Sequence, residues 1–116
     1  MTSAAPLELR YSSAERALTV TFAGGARYVL PAEYLRVESP SAELKGHGGE
    51  RRIIGGCAVV GIARIEPVGN YAVRLIFEDG HDSGLYSWDY LRELGEEHAA
   101  RWAAYLAALA ARGLAR

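Results

Sequence analysis

Residues 66–94 read EPVGNYAVRLIFEDGHDSGLYSWDYLREL, and this stretch decides the fold. It opens with a Pro-Val-Gly-Asn turn, and the apolar residues Val73, Leu75 and Phe77 then alternate with other side chains. Alternation at period two predicts a half-buried strand, and the Asp-Gly pair that follows is a common hairpin signal. The sequence therefore predicts an antiparallel hairpin whose second strand returns over residues 82–86.

The chain is predicted to become helical after this return strand. Ser87 can cap the helix, because a serine oxygen accepts hydrogen bonds from N–H groups of the first turn. Gly95 predicts the end of this helix, since glycine commonly follows the last helical residue. A second helix is predicted over residues 96–112. Its apolar face would contain His98, Trp102, Tyr105, Leu106 and Leu109.

Upstream, three short segments alternate apolar and polar residues, at positions 7–11, 17–22 and 27–30. They predict a three-stranded antiparallel meander. Pro31 suits the first turn of a short helix, and Leu35 would face the sheet from that helix.

Two further segments link the meander to residues 66–94. Residues 39–56 are rich in glycine and predict a long connection. Residues 57–66 contain several β-branched side chains and predict a strand that pairs antiparallel with the next one.

The predicted fold class is α+β. We expect a small antiparallel sheet of five to six strands in hairpins, a short helix after the third strand and two C-terminal helices. A chain of 116 residues can bury one core, so a single domain over residues 1–116 is expected. Its core would span residues 7–95, and the helix over residues 96–112 would be an addition.

Charge and cysteine content exclude several classes of protein. The net charge of −1 gives no overall positive field for nucleic acid. The single cysteine, Cys57, excludes an intrachain disulfide, which fits a reducing compartment. The sequence has neither a signal peptide nor an apolar run long enough to cross a membrane, so a cytoplasmic protein is expected.

One histidine lies between two carboxylates, in the row formed by Asp79, His81 and Asp82. Such a group can bind a divalent metal such as iron, and His47 in the glycine-rich connection could join it. The same residues also suit a plain hairpin corner, with aspartate bonding backbone N–H groups and glycine at positive φ. The hairpin corner is the favoured interpretation, and the metal site stays open as the alternative.

The aromatic residues Tyr71, Tyr86 and Trp88 are close in sequence. They predict either a stacking surface for a ligand or partner, or a layer between the sheet and its flanking helix. Cys57 is predicted to be a small core residue. Because no complete set of catalytic residues is present, an enzyme is not expected.

Several motifs in order resemble a known family. They are Leu-Pro-Ala-Glu-Tyr-Leu-Arg at 30–36, Ser-Pro-Ser-Ala-Glu at 39–43, Gly-His-Gly at 46–48, Pro-Val-Gly-Asn-Tyr-Ala at 67–72 and Asp-Gly-His-Asp-Ser-Gly-Leu-Tyr-Ser-Trp at 79–88. Over roughly residues 7–95, the chain resembles a bacterial stand-alone version of the N-terminal domain of gamma-butyrobetaine hydroxylase.

This resemblance implies a small α+β domain with an antiparallel sheet. In the hydroxylases the domain precedes a double-stranded β-helix that binds iron and 2-oxoglutarate, and related copies are appended to Mrp-type iron-sulfur scaffold ATPases. Neither catalytic unit is in this sequence. The resemblance therefore implies an accessory domain in an iron or iron-sulfur context.

The resemblance also implies the loss of a metal site. The hydroxylase domain holds zinc through three cysteines and one histidine. His81 matches the histidine, whereas Ser39, Ser41 and Leu44 stand at the cysteine positions. Serine is a poor zinc ligand and leucine is none, so no zinc is expected.

The leading hypothesis is a non-catalytic accessory or interaction domain with a protein partner, for which an iron-sulfur scaffold ATPase is the candidate. A homodimer through the alanine-rich last helix is a further expectation, and no nucleic acid or membrane is expected to bind. The alternatives are a metal-binding protein centred on His81 and a small-molecule binder that uses Tyr71, Tyr86 and Trp88.

Overall fold

The computed structural model describes residues 4–40 and 53–116. Over these residues the chain forms two three-stranded antiparallel sheets and three α-helices. The elements in order are β1 (Glu8–Ser12), β2 (Ala17–Thr21), β3 (Arg27–Pro31), α1 (Ala32–Val37), β4 (Ile62–Val68), β5 (Ala72–Phe77), β6 (Leu85–Ser87), α2 (Trp88–Glu96) and α3 (His98–Ala111). The predicted α+β class is confirmed, with the six strands divided between two sheets.

The first sheet is the predicted meander, in the order β1-β2-β3. Leu18 of β2 is paired with Tyr11 on one side and Leu30 on the other. Leu18 and Leu30 are fully buried, as is Val20 two residues further along β2. Residues two apart share a face of a strand, so the alternating pattern gives this sheet its core face.

The second sheet has the order β4-β5-β6, and its first strand begins later than predicted. Cys57 lies outside β4, because its carbonyl accepts the Val60 N–H (3.1 Å) in a tight turn instead of joining a ladder. The strand instead extends through Pro67 to Val68. A proline lacks an N–H, and β4 tolerates it because an edge strand has one unpaired side.

The β5–β6 connection is the predicted corner. Gly80 has a φ of +93°, and its N–H donates to the Phe77 carbonyl (3.0 Å). The Phe77 N–H donates in turn to the His81 carbonyl (2.9 Å). The chain then returns as β6, which is shorter than the predicted return strand and begins at Leu85.

The predicted cap of α2 is confirmed and its predicted end is wrong. Ser87 Oγ accepts the Tyr90 N–H (3.1 Å). The helix continues through Gly95 to Glu96. Gly95 has a packing role, because a Cβ there would lie 2.3 Å from Cγ of the Tyr28 ring. Glycine is thus required at position 95 because the helix backbone approaches the first sheet closely there, and not because the helix ends there.

The predicted apolar face of α3 is only partly buried. Tyr105 and Leu109 are buried and Trp102 is half-buried, whereas Leu106 is exposed. His98 stacks on Tyr34 of α1 with ring centroids 4.3 Å apart, in agreement with its predicted place at the edge of the core.

One cluster of buried side chains connects both sheets with the three helices. Its largest fully buried members are Tyr34, Tyr86, Phe22 and Phe77. Within the described ranges, no helix is both long and apolar enough to span a membrane.

Candidate functional site

Asp79 organises the corner between β5 and β6. Its Oδ1 accepts the His81 N–H (3.1 Å), which is the local turn that an Asp-Gly-His row predicts. Its Oδ2 accepts a hydrogen bond from Arg36 Nε in the last turn of α1 (2.9 Å). The corner is therefore connected to a helix 43 positions earlier in the chain.

The Asp79–Arg36 pair is partly withdrawn from solvent, with side chains 36% and 13% exposed. Burial raises the pKa of the Asp79 carboxyl, but the His81 N–H and the Arg36 guanidinium lower it by more, so the net shift is downward. Among the described residues, Arg36 Nη1 is buried without a hydrogen-bond partner. Asp79 is thus the only acidic side chain that pairs with this guanidinium among the described residues.

His81 is buried, and its ring contacts Ser39, the residue that follows Glu38 at the C-terminal end of α1. A hydrogen bond of 2.9 Å joins Ser39 Oγ to His81 Nε2. Ser39 is fully buried. A Cβ at position 84 would lie 2.3 Å from Ser39 Oγ, so Gly84 leaves the space that this serine needs. The corner thus holds the chain in place just beyond α1.

The predicted metal group is only partly brought together. Asp79 and His81 are in contact through the backbone N–H, whereas Asp82 is exposed. His47 lies outside the described residues. Across positions 4–40 and 53–116, no group of three or more histidine, cysteine, aspartate or glutamate side chains is arranged to hold a metal ion.

The predicted aromatic surface is divided by the fold. Tyr71 is 53% exposed, and its carbonyl accepts the Trp88 N–H (3.1 Å). Trp88 Nε1 donates to the Asn70 carbonyl (2.8 Å). Tyr86 is fully buried, and its hydroxyl donates to the Leu35 carbonyl (2.5 Å). Strand alternation turns Tyr86 into the core, so it is unavailable to a surface ligand.

Cys57 is buried as predicted, although it is in a turn and not in a strand. Its Sγ lies 3.6 Å from the Gly55 carbonyl. Burial raises the pKa of the thiol, which opposes formation of the nucleophilic thiolate.

Two arginines that sequence reasoning missed connect distant elements. Arg36 holds the corner, as described above. Arg101 of α3 donates to Glu38 Oε1 (2.9 Å) after α1, and it also pairs with Glu93 and Glu97. The spacing of four residues between Glu97 and Arg101 is typical of an ion pair on a helix and can be recognised from sequence. The Arg101–Glu38 and Arg36–Asp79 contacts cannot, because they join residues far apart in sequence.

Comparison with known proteins identifies the family of the domain. A family model described as gamma-butyrobetaine hydroxylase-like, N-terminal, matches residues 9–92. The chain belongs to this family. Solved structures also resemble the chain along most of its length.

Two similar structures were determined by NMR in solution. One is 46% identical with a TM-score of 0.86, and the match covers 98% of this chain and 90% of the other. The second is 41% identical with a TM-score of 0.85, covering 98% and 86%. A crystal structure of a DUF971-family protein of unknown function from Acidithiobacillus ferrooxidans is 40% identical, with a TM-score of 0.67 and coverage of 78% and 91%. No curated protein matches the chain.

The residues of this family member differ from the zinc-ligand set that the resemblance attributes to the hydroxylase domain, because Ser39, Ser41 and Leu44 stand at the cysteine positions. Ser39 and His81, two of the four matched positions, do meet, which agrees with their alignment to ligands of one ion. A direct hydrogen bond of 2.9 Å joins Ser39 Oγ to His81 Nε2. A serine hydroxyl is also a poor ligand. Positions 41 and 44 lie outside the described residues.

We therefore expect the Ser39–His81 contact to stabilise the domain without metal. Ser39→Ala should lower the free energy of unfolding by about 1–2 kcal/mol, because His81 Nε2 loses a buried partner. Chelator treatment should leave the wild-type midpoint of urea unfolding unchanged. Stoichiometric metal in protein purified without chelator, lost in His81→Ala, would show instead that His81 is a metal ligand.

Proposed function

We propose that the chain is a non-catalytic accessory domain that acts by binding another protein. The observation that carries this proposal is the contrast between its polar and its apolar side chains. The residues that could bind a metal or react are occupied by structural contacts or buried. Asp79 pairs with Arg36, His81 contacts Ser39, and Cys57 is buried. Two large apolar side chains, Tyr71 in the turn between β4 and β5 and Leu85 in β6, meanwhile remain exposed.

The proposed contact surface is the Tyr71 edge, which comprises Tyr71, Arg74, Leu85 and Trp88. Arg74 and Leu85 are register partners on β5 and β6, so their side chains share one face. Tyr71 is 53% exposed and Leu85 is 42% exposed. Tyrosine, tryptophan and arginine are enriched at protein interfaces, and such side chains commonly supply most of the binding energy.

The charges beside this edge support a protein partner over a small apolar ligand. Glu66 Oε1 accepts hydrogen bonds from Arg74 Nε (3.2 Å) and Nη2 (2.5 Å), and it pairs with Arg64 through its other oxygen. Glu66 is the register partner of Arg74, so this charged pair shares a face with Leu85, and protein interfaces combine apolar side chains with polar neighbours. The small-molecule alternative loses one of its three aromatic residues, because Tyr86 is in the core.

The resemblance described above suggests the partner. Related domains accompany Mrp-type iron-sulfur scaffold ATPases and iron-dependent hydroxylases, so we propose an iron-sulfur scaffold ATPase as the first partner to test. A cytoplasmic location, an iron context and a homodimer through α3 stay predictions with it.

Binding of the immobilised chain to the purified Mrp-type ATPase from the same organism tests the proposal. The variant Tyr71→Ser with Leu85→Ser should weaken binding roughly tenfold or more, because both exposed apolar contacts are removed. Interferometry at several ATPase concentrations gives the dissociation constant.

Val29→Ser is the matched control, since Val29 is 50% exposed on β3 of the other sheet. It should bind as the wild type does. Equal weakening by both variants would rule out the Tyr71 edge as the interface. Absence of wild-type binding would rule out this ATPase as the partner.

A further inference from the structure

A tight turn reverses the chain after α3. Gly113 has a φ of +66°, and its N–H donates to the Ala110 carbonyl (3.2 Å). The Leu114 N–H donates to the Leu109 carbonyl (2.9 Å). This pair of bonds is the Schellman arrangement that ends many helices at a glycine. It directs residues 114–116 back across the domain.

Residues 114–116, here called the strap, contact the segment that leads into Cys57. The Gly56 N–H donates to the Ala115 carbonyl (3.0 Å). A Cβ on Gly55 would lie 2.3 Å from that same oxygen, so only glycine allows this approach. On the other side, the Tyr105 hydroxyl donates to the Ile54 carbonyl (2.6 Å). Residues 54–56 are thus held by both the strap and α3.

An ion pair fixes the far end of the strap. Arg116 donates from Nε to Glu33 Oε2 (3.1 Å) and from Nη2 to Glu33 Oε1 (2.6 Å). The Arg116 guanidinium carbon also lies 5.5 Å from the centroid of the Trp102 ring. The Glu33 side chain is 7% exposed, whereas that of Arg116 is 54% exposed.

This difference in exposure makes the contact releasable. Arg116 can move into solvent because 54% of its side chain is already exposed, and the opposing cost is the 7%-exposed Glu33 carboxylate left unpaired. Glu33 stays on the buried face of α1 and keeps attracting it. A partly exposed ion pair is also screened by salt, so the occupancy of the strap depends on ionic strength.

Cys57 is a natural reporter of this contact. It is the only cysteine of the chain and is 5% exposed. It directly follows the two glycines that the strap contacts, and its Sγ lies against the Gly55 carbonyl (3.6 Å). Loss of the strap contacts removes one of the two restraints on this segment.

We propose that residues 114–116 form a releasable strap, held by the Arg116–Glu33 ion pair, that closes the Gly55–Gly56 segment over Cys57. Opening of the strap frees the Gly56 N–H and the Glu33 carboxylate together. It does so without unfolding the sheets, because no contact named above involves a strand. The strap is separate from the Tyr71 edge and stands without the proposed function.

The test is the rate at which 5,5′-dithiobis(2-nitrobenzoic acid) labels Cys57 in the full chain. Arg116→Ala and Glu33→Gln should each raise this rate roughly five- to tenfold, the effect expected for loss of a partly exposed bidentate pair. The double variant should react as fast as either single one, because all three lack the same contact. Raising sodium chloride from about 0.05 M to about 1 M should accelerate the wild type and leave the double variant unchanged.

Arg112→Ala is the matched control, since Arg112 is exposed and lies one residue before the turn. It should label at the wild-type rate. Circular dichroism of each variant separates strap opening from global unfolding, and Glu33→Gln avoids a buried unpaired charge if Arg116→Ala folds poorly. Wild-type labelling in both single variants, or additive effects in the double variant, would overturn the proposal.

Discussion

Tyr86→Ala is expected to lower the free energy of unfolding by about 3–5 kcal/mol, as for other large aromatic side chains removed from a core. Tyr86 is among the largest fully buried side chains in the described part of the chain. Its hydroxyl donates to the Leu35 carbonyl of α1, so the variant also leaves that buried carbonyl without its partner. Urea unfolding followed by circular dichroism measures the change.

Two variants separate the contributions to this loss. Tyr86→Phe keeps the ring and should cost only about 1–2 kcal/mol, the effect of one unsatisfied buried group. Tyr71→Ala removes a ring that is 53% exposed and should change stability by less than about 0.5 kcal/mol. If Tyr86→Ala were as mild as Tyr71→Ala, Tyr86 would have to be solvent-accessible and the aromatic surface would regain its third member.

Asp79→Ala is expected to cost about 2–3 kcal/mol, somewhat less than a fully buried pair because the Asp79 side chain is 36% exposed. The variant leaves the Arg36 guanidinium, 13% exposed, without its acidic partner. It also removes the acceptor of the His81 N–H. Replacing Arg36 by methionine in the same chain should recover part of the loss, because the unpaired charge is then absent.

The pH dependence gives a second measure of this pair. The folded pKa of Asp79 is below its ordinary value, so the carboxylate stabilises the fold at pH values above the unfolded pKa of about 4. That stabilisation should be lost as the pH falls through the folded pKa. Asp79→Ala should therefore lose less stability than the wild type over this acid range. If the free energy of unfolding fell equally in Asp79→Ala and in the wild type over this pH range, the role assigned to Asp79 would be contradicted.

The local rules predicted those parts of the fold that depend on neighbours in sequence. The meander, the Asp-Gly-His corner and the Ser87 cap each follow from a few consecutive residues. The errors occurred where packing decided the outcome. Gly95 was expected to end a helix, but it continues α2 because the Tyr28 ring occupies the space beside it.

The candidate site was also only partly predictable from the sequence. The resemblance aligned Ser39 and His81 with two ligands of a single ion, and the fold does bring them to 2.9 Å. The sequence could not show that Asp79 pairs with Arg36, since the two are 43 residues apart. It also could not assign Tyr71 to the surface and Tyr86 to the core, because that required the register of β5 and β6.

The sequence by itself determined the α+β class and the family, because these depend on residue type, spacing and local turn chemistry. Only the tertiary structure decided which polar residues are paired and which aromatic residues are buried. The Arg36–Asp79 and Arg116–Glu33 pairs form only when packing of the sheets and helices brings their distant partners together. Hydrophobic burial drives that packing, and it has no preferred separation along the chain.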